Sequence, residues 1–244
     1  MLRPSRKWII LLCCSIVITT GFYNPSRKHD RKYYESRGEI VWDVPTREKL
    51  IALTFDDGPN ARTTPLILDL LKQYDAKATF FVVGNRIDRF KKIIQREAAE
   101  GHEVANHTYN HIYLTRKVQK DTIRNELMAT QQKIAAVTGQ SSRWFRPPGG
   151  LYNETVVKIA KEKGYTVALW SWHQDTRDWS TPGVDKIVSK VLNNAHSGDV
   201  VLMHDNVRGS TQTVRALERI LPELQKRGFH MVTLSELAEH QIKK

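Results

Sequence analysis

The sequence predicts an α/β fold closed into a barrel of about seven parallel strands. Two observations predict it. From residue 49 onward, short runs rich in apolar, β-branched or aromatic residues alternate with longer stretches of helical spacing, and polar residues repeatedly follow the C-terminal end of a run. Seven such alternations imply parallel strands joined by right-handed crossovers. A doubly wound sheet also fits, but the count of seven and the recurring polar ends favour a barrel whose working face collects those ends.

The first strand, residues 49–55, is apolar with β-branched Ile51 and Thr54, and stops at Asp56-Asp57-Gly58-Pro59, two carboxylates followed by a Gly-Pro breaker. A helix over 64–74 follows from the spacing of Leu66, Ile67, Leu70 and Leu71, and the Phe- and Val-rich run 78–83 is the second strand. A helix over 89–100 is closed by Gly101. Short apolar pieces at 103–105, 143–145, 165–170, 200–203 and 229–232 complete the strands, separated by helices over 121–138, 154–163, 184–195 and 211–227. No internal repeat is present.

A chain of 244 residues suffices for one barrel-sized domain, and 40% hydrophobic with 26% charged residues excludes disorder along most of its length. A single domain over 49–240, acting as a monomer, is expected. The net charge of +12 favours anionic surroundings such as acidic lipid or an acidic wall polymer. No Lys/Arg block is interleaved with aromatics, so nucleic acid is not an expected partner. Arg3, Arg6 and Lys7 precede an apolar run from Trp8 to Phe22, which makes residues 1–22 a signal peptide or membrane anchor. That run is short for a full span, and no Ala-x-Ala site follows, which favours retention as an anchor. Residues 23–48 are polar and basic without a period and read as a stem or linker. The cysteines, Cys13 and Cys14, both sit in the apolar run, so the body has neither disulfide nor thiolate metal site.

The candidate functional residues cluster at strand ends. Successive side chains of a strand point to opposite faces, so Asp56 and Asp57 are expected to do different work, one holding a cation and one handling a proton. In His107-Thr108-Tyr109-Asn110-His111 two imidazoles four residues apart share a face if the segment is helical. With Asp57 they make a two-histidine, one-carboxylate set with open positions, where a divalent cation would polarise an acyl oxygen and acidify water. In Arg146-Pro147-Pro148-Gly149-Gly150 the glycines let backbone N–H groups approach an oxyanion, and Arg146 can hold a neighbouring carboxylate ionised and oriented. Between Trp170 and Trp179 lie three tryptophans; Trp170 suits the core, whereas Trp179, after Asp178, suits a binding wall for sugar rings. His204 ends the sixth strand, where an acid such as Asp178 could keep it protonated as a general acid for a leaving amine.

Thr54-Phe55-Asp56-Asp57-Gly58, His107-Thr108-Tyr109-Asn110-His111, Arg146-Pro147-Pro148-Gly149-Gly150, Asp175-Thr176-Arg177-Asp178-Trp179 and Leu202-Met203-His204 occur in the order of five motifs of the NodB-homology polysaccharide deacetylases, carbohydrate esterase family four, which the chain resembles from about residue 49 to 238. The resemblance implies a distorted (β/α) barrel and a metal-dependent hydrolase that removes N-acetyl, less often O-acetyl, groups from polysaccharides. It implies that Asp57, His107 and His111 hold a divalent cation, usually zinc with cobalt or nickel as alternatives, and that Asp56, oriented by Arg146, is the general base. It further implies that the Gly149 N–H serves the oxyanion, that His204 tuned by Asp178 protonates the amine, and that Trp179 and Leu202 line the acetyl pocket. The substrate it points to is an N-acetylglucosamine polymer of the bacterial cell surface, foremost peptidoglycan, with chitin oligosaccharide, N-acetylmuramic acid or xylan as alternatives. A catalytically silent wall-binding protein is the competing class, against which stands the presence of every ligand, base and acid. Relatives often carry an aromatic residue where this chain has Gly149, so a more open groove wall is expected there.

Overall fold

The computed structural model describes residues 29–242. The segment read as signal peptide or anchor therefore lies outside the described residues, and among the described residues no helix is long and apolar enough to cross a membrane. Helix α1 (Arg31–Ser36) and strand β1 (Ile40–Val41) precede the central strand β2 (Leu50–Asp56). There follow α2 (Thr63–Gln73), β3 (Ala78–Val82), α3 (Gly84–Ile87), α4 (Lys91–Ala99), β4 (Glu103–Asn106), α5 (Lys120–Thr138), β5 (Trp144–Phe145) and α6 (Glu154–Glu162). The chain ends with β6 (Thr166–Ala168), α7 (Val184–Leu192), β7 (Val200–His204), α8 (Gln212–Lys226), β8 (His230–Met231) and α9 (Leu234–Glu239).

The strands form one curled sheet in the order β1-β6-β5-β4-β3-β2-β7, with β8 paired to the start of β2, and every pairing is parallel. The gap beyond β7 is spanned by an irregular segment, in which Ser171 N donates to Val200 O and Asp175 forms a bridge with Leu202. This is the expected barrel in a distorted form, strand-closed on most of its circumference and loop-closed on the rest.

Every residue of β2 is buried, as a strand covered on both faces must be. Its alternation sorts the core. Ile51, Leu53 and Phe55 point outward to α2 and α8, meeting Ile67, Leu71, Leu217 and Leu221. Leu50 and Ala52 point inward with Phe81, Ala105, Trp144 and Val200, and α9 closes this end of the barrel through Leu234 and Leu237. The next inward positions of β2 are Thr54 and Asp56, and the register sets them beside Leu202 and His204 of β7. One row of side chains thus changes from hydrocarbon to charge at the C-terminal face.

The expected stem is corrected for residues 30–44, which are part of the folded body. β1 pairs with β6, while Tyr34, Ile40, Trp42 and Val44 are buried. Arg31 pairs with Glu35 and Asp43, and Arg37 with Glu39, so these basic residues are matched by local acids. Val44 N donates to Gly198 O at 2.9 Å, and at Gly198, with φ +89°, a Cβ would collide with the Val44 carbonyl. A two-residue strand between charged residues carries no period, which is why the segment reads as a linker.

Each of the four buried side chains contributes on the order of 1.5–3 kcal/mol. A chain beginning at residue 49 is expected to melt at least about 10 °C below one beginning at residue 29, measured by circular dichroism.

Candidate active site

Asp56, at the tip of β2, is almost fully buried and accepts from Arg146 Nη1 through Oδ1 at 2.7 Å. Arg146 follows β5 and has no exposed surface. Three further N–H groups donate to Ala168 O (3.0 Å), Thr54 Oγ1 (2.8 Å) and Leu169 O (2.8 Å), and its guanidinium lies 4.0 Å from the centre of the Phe81 ring. Burial lowers the Arg146 guanidinium from its ordinary value, and Asp56 opposes that shift. The arginine thus fixes one oxygen of Asp56, while Oδ2 lies 3.8 Å from His107 Nε2.

Asp57 lies one residue beyond the strand with φ +73°, a left-handed backbone that turns its side chain back into the cleft. The expectation of opposite faces is corrected accordingly, because both carboxylates enter one site. Their division of work persists, since Asp56 meets the arginine and Asp57 the histidines. His107 Nε2 and His111 Nε2 lie 3.3 and 2.9 Å from Asp57 Oδ1. Burial acts to raise the Asp57 carboxyl, but hydrogen bonds from His107 and His111 and the charges of His107 and His204 outweigh it and hold it well below the usual carboxylate range. His111 is raised by its bond to Asp57 against the effect of burial.

The histidine segment is not helical, which corrects the reason given for its spacing. Positive φ at Thr108 (65°) and His111 (55°) folds it into a tight loop and brings the ring centres to 5.1 Å. Glu126 of α5 holds that loop, accepting from Tyr109 N (2.8 Å), Asn110 N (2.7 Å) and Asn110 Nδ2 (2.7 Å), while Asn106 accepts from Thr108 N. His107 Nδ1 lies 2.8 Å from the Arg146 carbonyl oxygen, which can only accept. The proton is therefore on Nδ1, and Nε2 is free to exchange a proton for a cation. Three ligand atoms, from Asp57, His107 and His111, thus converge within the reach of one ion, and they fit a divalent metal of zinc-like preference.

On the other side of the cleft, Asp178 accepts from His204 Nδ1 (2.7 Å), His204 N (2.8 Å) and Thr213 Oγ1 (2.6 Å). Burial pulls the His204 imidazole down, but the bond to Asp178 and the charges of Asp178, Asp56 and Asp57 push it up to about 9. Leu202 sits one alternation below His204 and is buried, whereas Trp179 is 59% exposed beside Asp178. Gly149 has φ +62°, and a Cβ there would lie 2.8 Å from the Tyr113 ring. The expected open wall is therefore corrected. The Tyr113 ring, 6.0 Å from that of His111, fills the space from a different loop.

Sequence reading brought out Asp56, Asp57, His107, His111, Arg146, Asp178 and His204, and the structure assembles them as two facing groups. It missed Tyr113, Glu126, Thr54 and Thr213. Only Glu126 left a trace, as an acid on the buried stripe Ile123, Leu127, Thr130 and Ile134 of α5.

A parallel barrel that presents two histidines and a carboxylate beside a separately held acid and base defines a metal-dependent hydrolase. The sequence profile of polysaccharide deacetylases matches residues 43–168, and the chain belongs to that family. It is similar to a peptidoglycan-N-acetylglucosamine deacetylase of Bacillus cereus, 48% identical over 86% of this chain and 98% of the relative. A crystal structure of a peptidoglycan N-acetylglucosamine deacetylase superposes with a TM-score of 0.80 at 35% identity, over 87% of this chain and 99% of the other. A family 4 acetyl xylan esterase from Clostridium thermocellum, solved with a cobalt ion, superposes at 0.71 with 33% identity, over 78% of this chain and 90% of the other.

In the metal-stripped protein, His204 is expected to titrate at about 9 by NMR and to titrate lower in Asp178→Asn, because the hydrogen bond and charge of Asp178, the largest raising causes, are lost while burial remains. The folded value lies above the unfolded one, so the pair's stabilisation is complete below about pH 6.5 and is lost as pH rises through about 9.

Proposed function

We propose that the chain removes N-acetyl groups from N-acetylglucosamine residues of peptidoglycan, at the outer surface of a bacterial cell, as a zinc-dependent monomer. The observation that carries this reading is the convergence of both histidine Nε2 atoms on Asp57 Oδ1, between a carboxylate fixed by Arg146 and an imidazole fixed by Asp178. The similarity to peptidoglycan-N-acetylglucosamine deacetylases supports the sugar and the polymer. The charge of +12 and the basic-then-apolar start support export and contact with an anionic wall, with residues 1–22 as signal or membrane anchor and the deacetylase domain reaching to about residue 240.

Amide hydrolysis needs a nucleophile, a stabilised oxyanion and protonation of a poor leaving group. Asp57, His107 and His111 hold the cation, which when bound supplies Lewis acidity at the acyl oxygen and lowers the pKa of water. Asp56 takes the proton of the attacking water through Oδ2, the oxygen that Arg146 leaves unbonded. Arg146 keeps that carboxylate ionised and pointed. The Gly149 N–H donates to the oxyanion, in a backbone conformation that glycine adopts without strain. His204, kept charged by Asp178, passes its proton to the departing amine. Leu202 and Trp179 border the space for the acetyl methyl, and Tyr113 adds a ring to the sugar-facing wall.

Asp56→Asn is expected to retain bound metal and lose turnover by at least about 10²-fold, the scale of general-base catalysis. His107→Ala is expected to lose metal and turnover together. Acetate release and metal content, measured on the same preparations, separate the two, and normal turnover in either variant overturns the assignment of roles. The substrate is tested by acetate release from peptidoglycan and chitin oligosaccharides in parallel, with metal-stripped full-length chain resupplied with zinc or cobalt. Faster release from peptidoglycan is expected. Faster release from chitin oligosaccharide would move the substrate, and stoichiometric metal without any release would favour the silent binding protein.

A further inference from the structure

We propose that His173, His196 and Asp199 form a second binding site for a divalent transition-metal ion, separate from the catalytic cluster and structural in role. The ligand atoms of these residues lie within 4.8 Å of one another, as do those of Asp57, His107 and His111. His173 Nε2 is 2.9 Å from Asp199 Oδ1 and 3.0 Å from Oδ2. His196 Nδ1 is 3.4 Å from His173 Nε2 and 3.8 Å from Asp199 Oδ2. Ligands bound about 2.0–2.1 Å from a tetrahedral ion stand about 3.3–3.4 Å apart, so the two imidazoles are already at the required spacing, and small shifts that move His173 away from Asp199 and His196 towards it complete the set.

The protonation pattern leaves a place for the ion. His173 Nε2 can donate one proton to the carboxylate, and His196 Nδ1 is then a second nitrogen facing the same N–H. Asp199 Oδ2 already accepts from Gln174 Nε2 and His196 N, both at 2.9 Å, whereas Oδ1 has only His173. Gln174 and the His196 backbone thus orient a buried carboxylate with one oxygen to spare, as outer partners of a metal ligand do. His196 is 71% exposed, so water completes the coordination, and two imidazoles with one carboxylate suit zinc, cobalt or nickel rather than calcium or magnesium.

The site lies at the opposite end of β7 from the chemistry. Asp199 precedes that strand and His204 ends it, five residues later at about 3.3 Å each, or about 16 Å. An ion here would tie the irregular segment that continues to Asp178 and Trp179 to the turn that starts β7, the two pieces of chain that bring the acid and its partner together.

The test is equilibrium dialysis of chelator-stripped full-length chain against zinc, with metal and protein quantified. Two ions per wild-type chain are expected, one in His196→Ala, one in His111→Ala and none in the double variant. Zinc is also expected to raise the melting temperature of His111→Ala and to leave that of the double variant unchanged. Activity is not the readout, and His196→Ala is expected to keep full acetate release, so the result stands apart from the deacetylase reading. One ion in the wild type that His196→Ala retains, or a second ion that survives both His196→Ala and His173→Ala, overturns the proposal.

Discussion

The buried pair of Arg146 and Asp56 constrains everything around it. A charge removed from water costs several kcal/mol unless it is well paired and hydrogen-bonded. Here the carbonyls of Ala168 and Leu169, the hydroxyl of Thr54, the carboxylate of Asp56 and the face of Phe81 meet it. These partners come from β2, β3, β6 and the segment after it, so curling the sheet round one cation is also what closes that part of the barrel. Thr54 in turn donates to Val201 O, carrying the network into β7. The same interaction leaves a carboxylate oxygen with no hydrogen-bond donor among the described residues at the floor of the cleft, where a base is needed.

Two carboxylate–imidazole groups face each other across that floor with opposite outcomes. Asp57 gathers two Nε2 atoms and is held strongly acidic, whereas Asp178 accepts three hydrogen bonds and drives the His204 imidazole to about 9. The chemistry is the same in both; the environment differs. Asp57 is approached by ring nitrogens that can trade a proton for a cation, while His204 keeps its proton because a fixed anion lies behind it. Environments that separate otherwise similar groups assign acid and ligand roles without any change of residue type.

How much was legible follows from where each feature is encoded. Strand and helix periods, and the polar residue at each strand end, are local, so β2 to β8 and the five motifs could be read along the chain. Helix α8 was predicted through Pro222, and it runs through it. Segments without a period were misread, which is why α1 and β1 passed for a stem and α3 and α9 were not anticipated. Glu126 was visible only as an acid on a buried stripe, and Tyr113 not at all, because its place depends on a gap left by Gly149 on another loop.

By itself the sequence determined the chemistry available and its order: a carboxylate pair, a histidine pair, an arginine, an acid and a final histidine, each at or following the C-terminal end of a parallel strand. Tertiary structure decided who meets whom. Arg146 and Asp56 are 90 residues apart, and the left-handed backbone of Asp57 and His111, which Asp and His tolerate better than most side chains but residue type alone does not dictate, is selected by the fold. The physical reason is one of range. Periodicity and residue type act over a few neighbours, whereas the cost of burying a charge is settled by whichever distant groups the fold brings within about 3 Å.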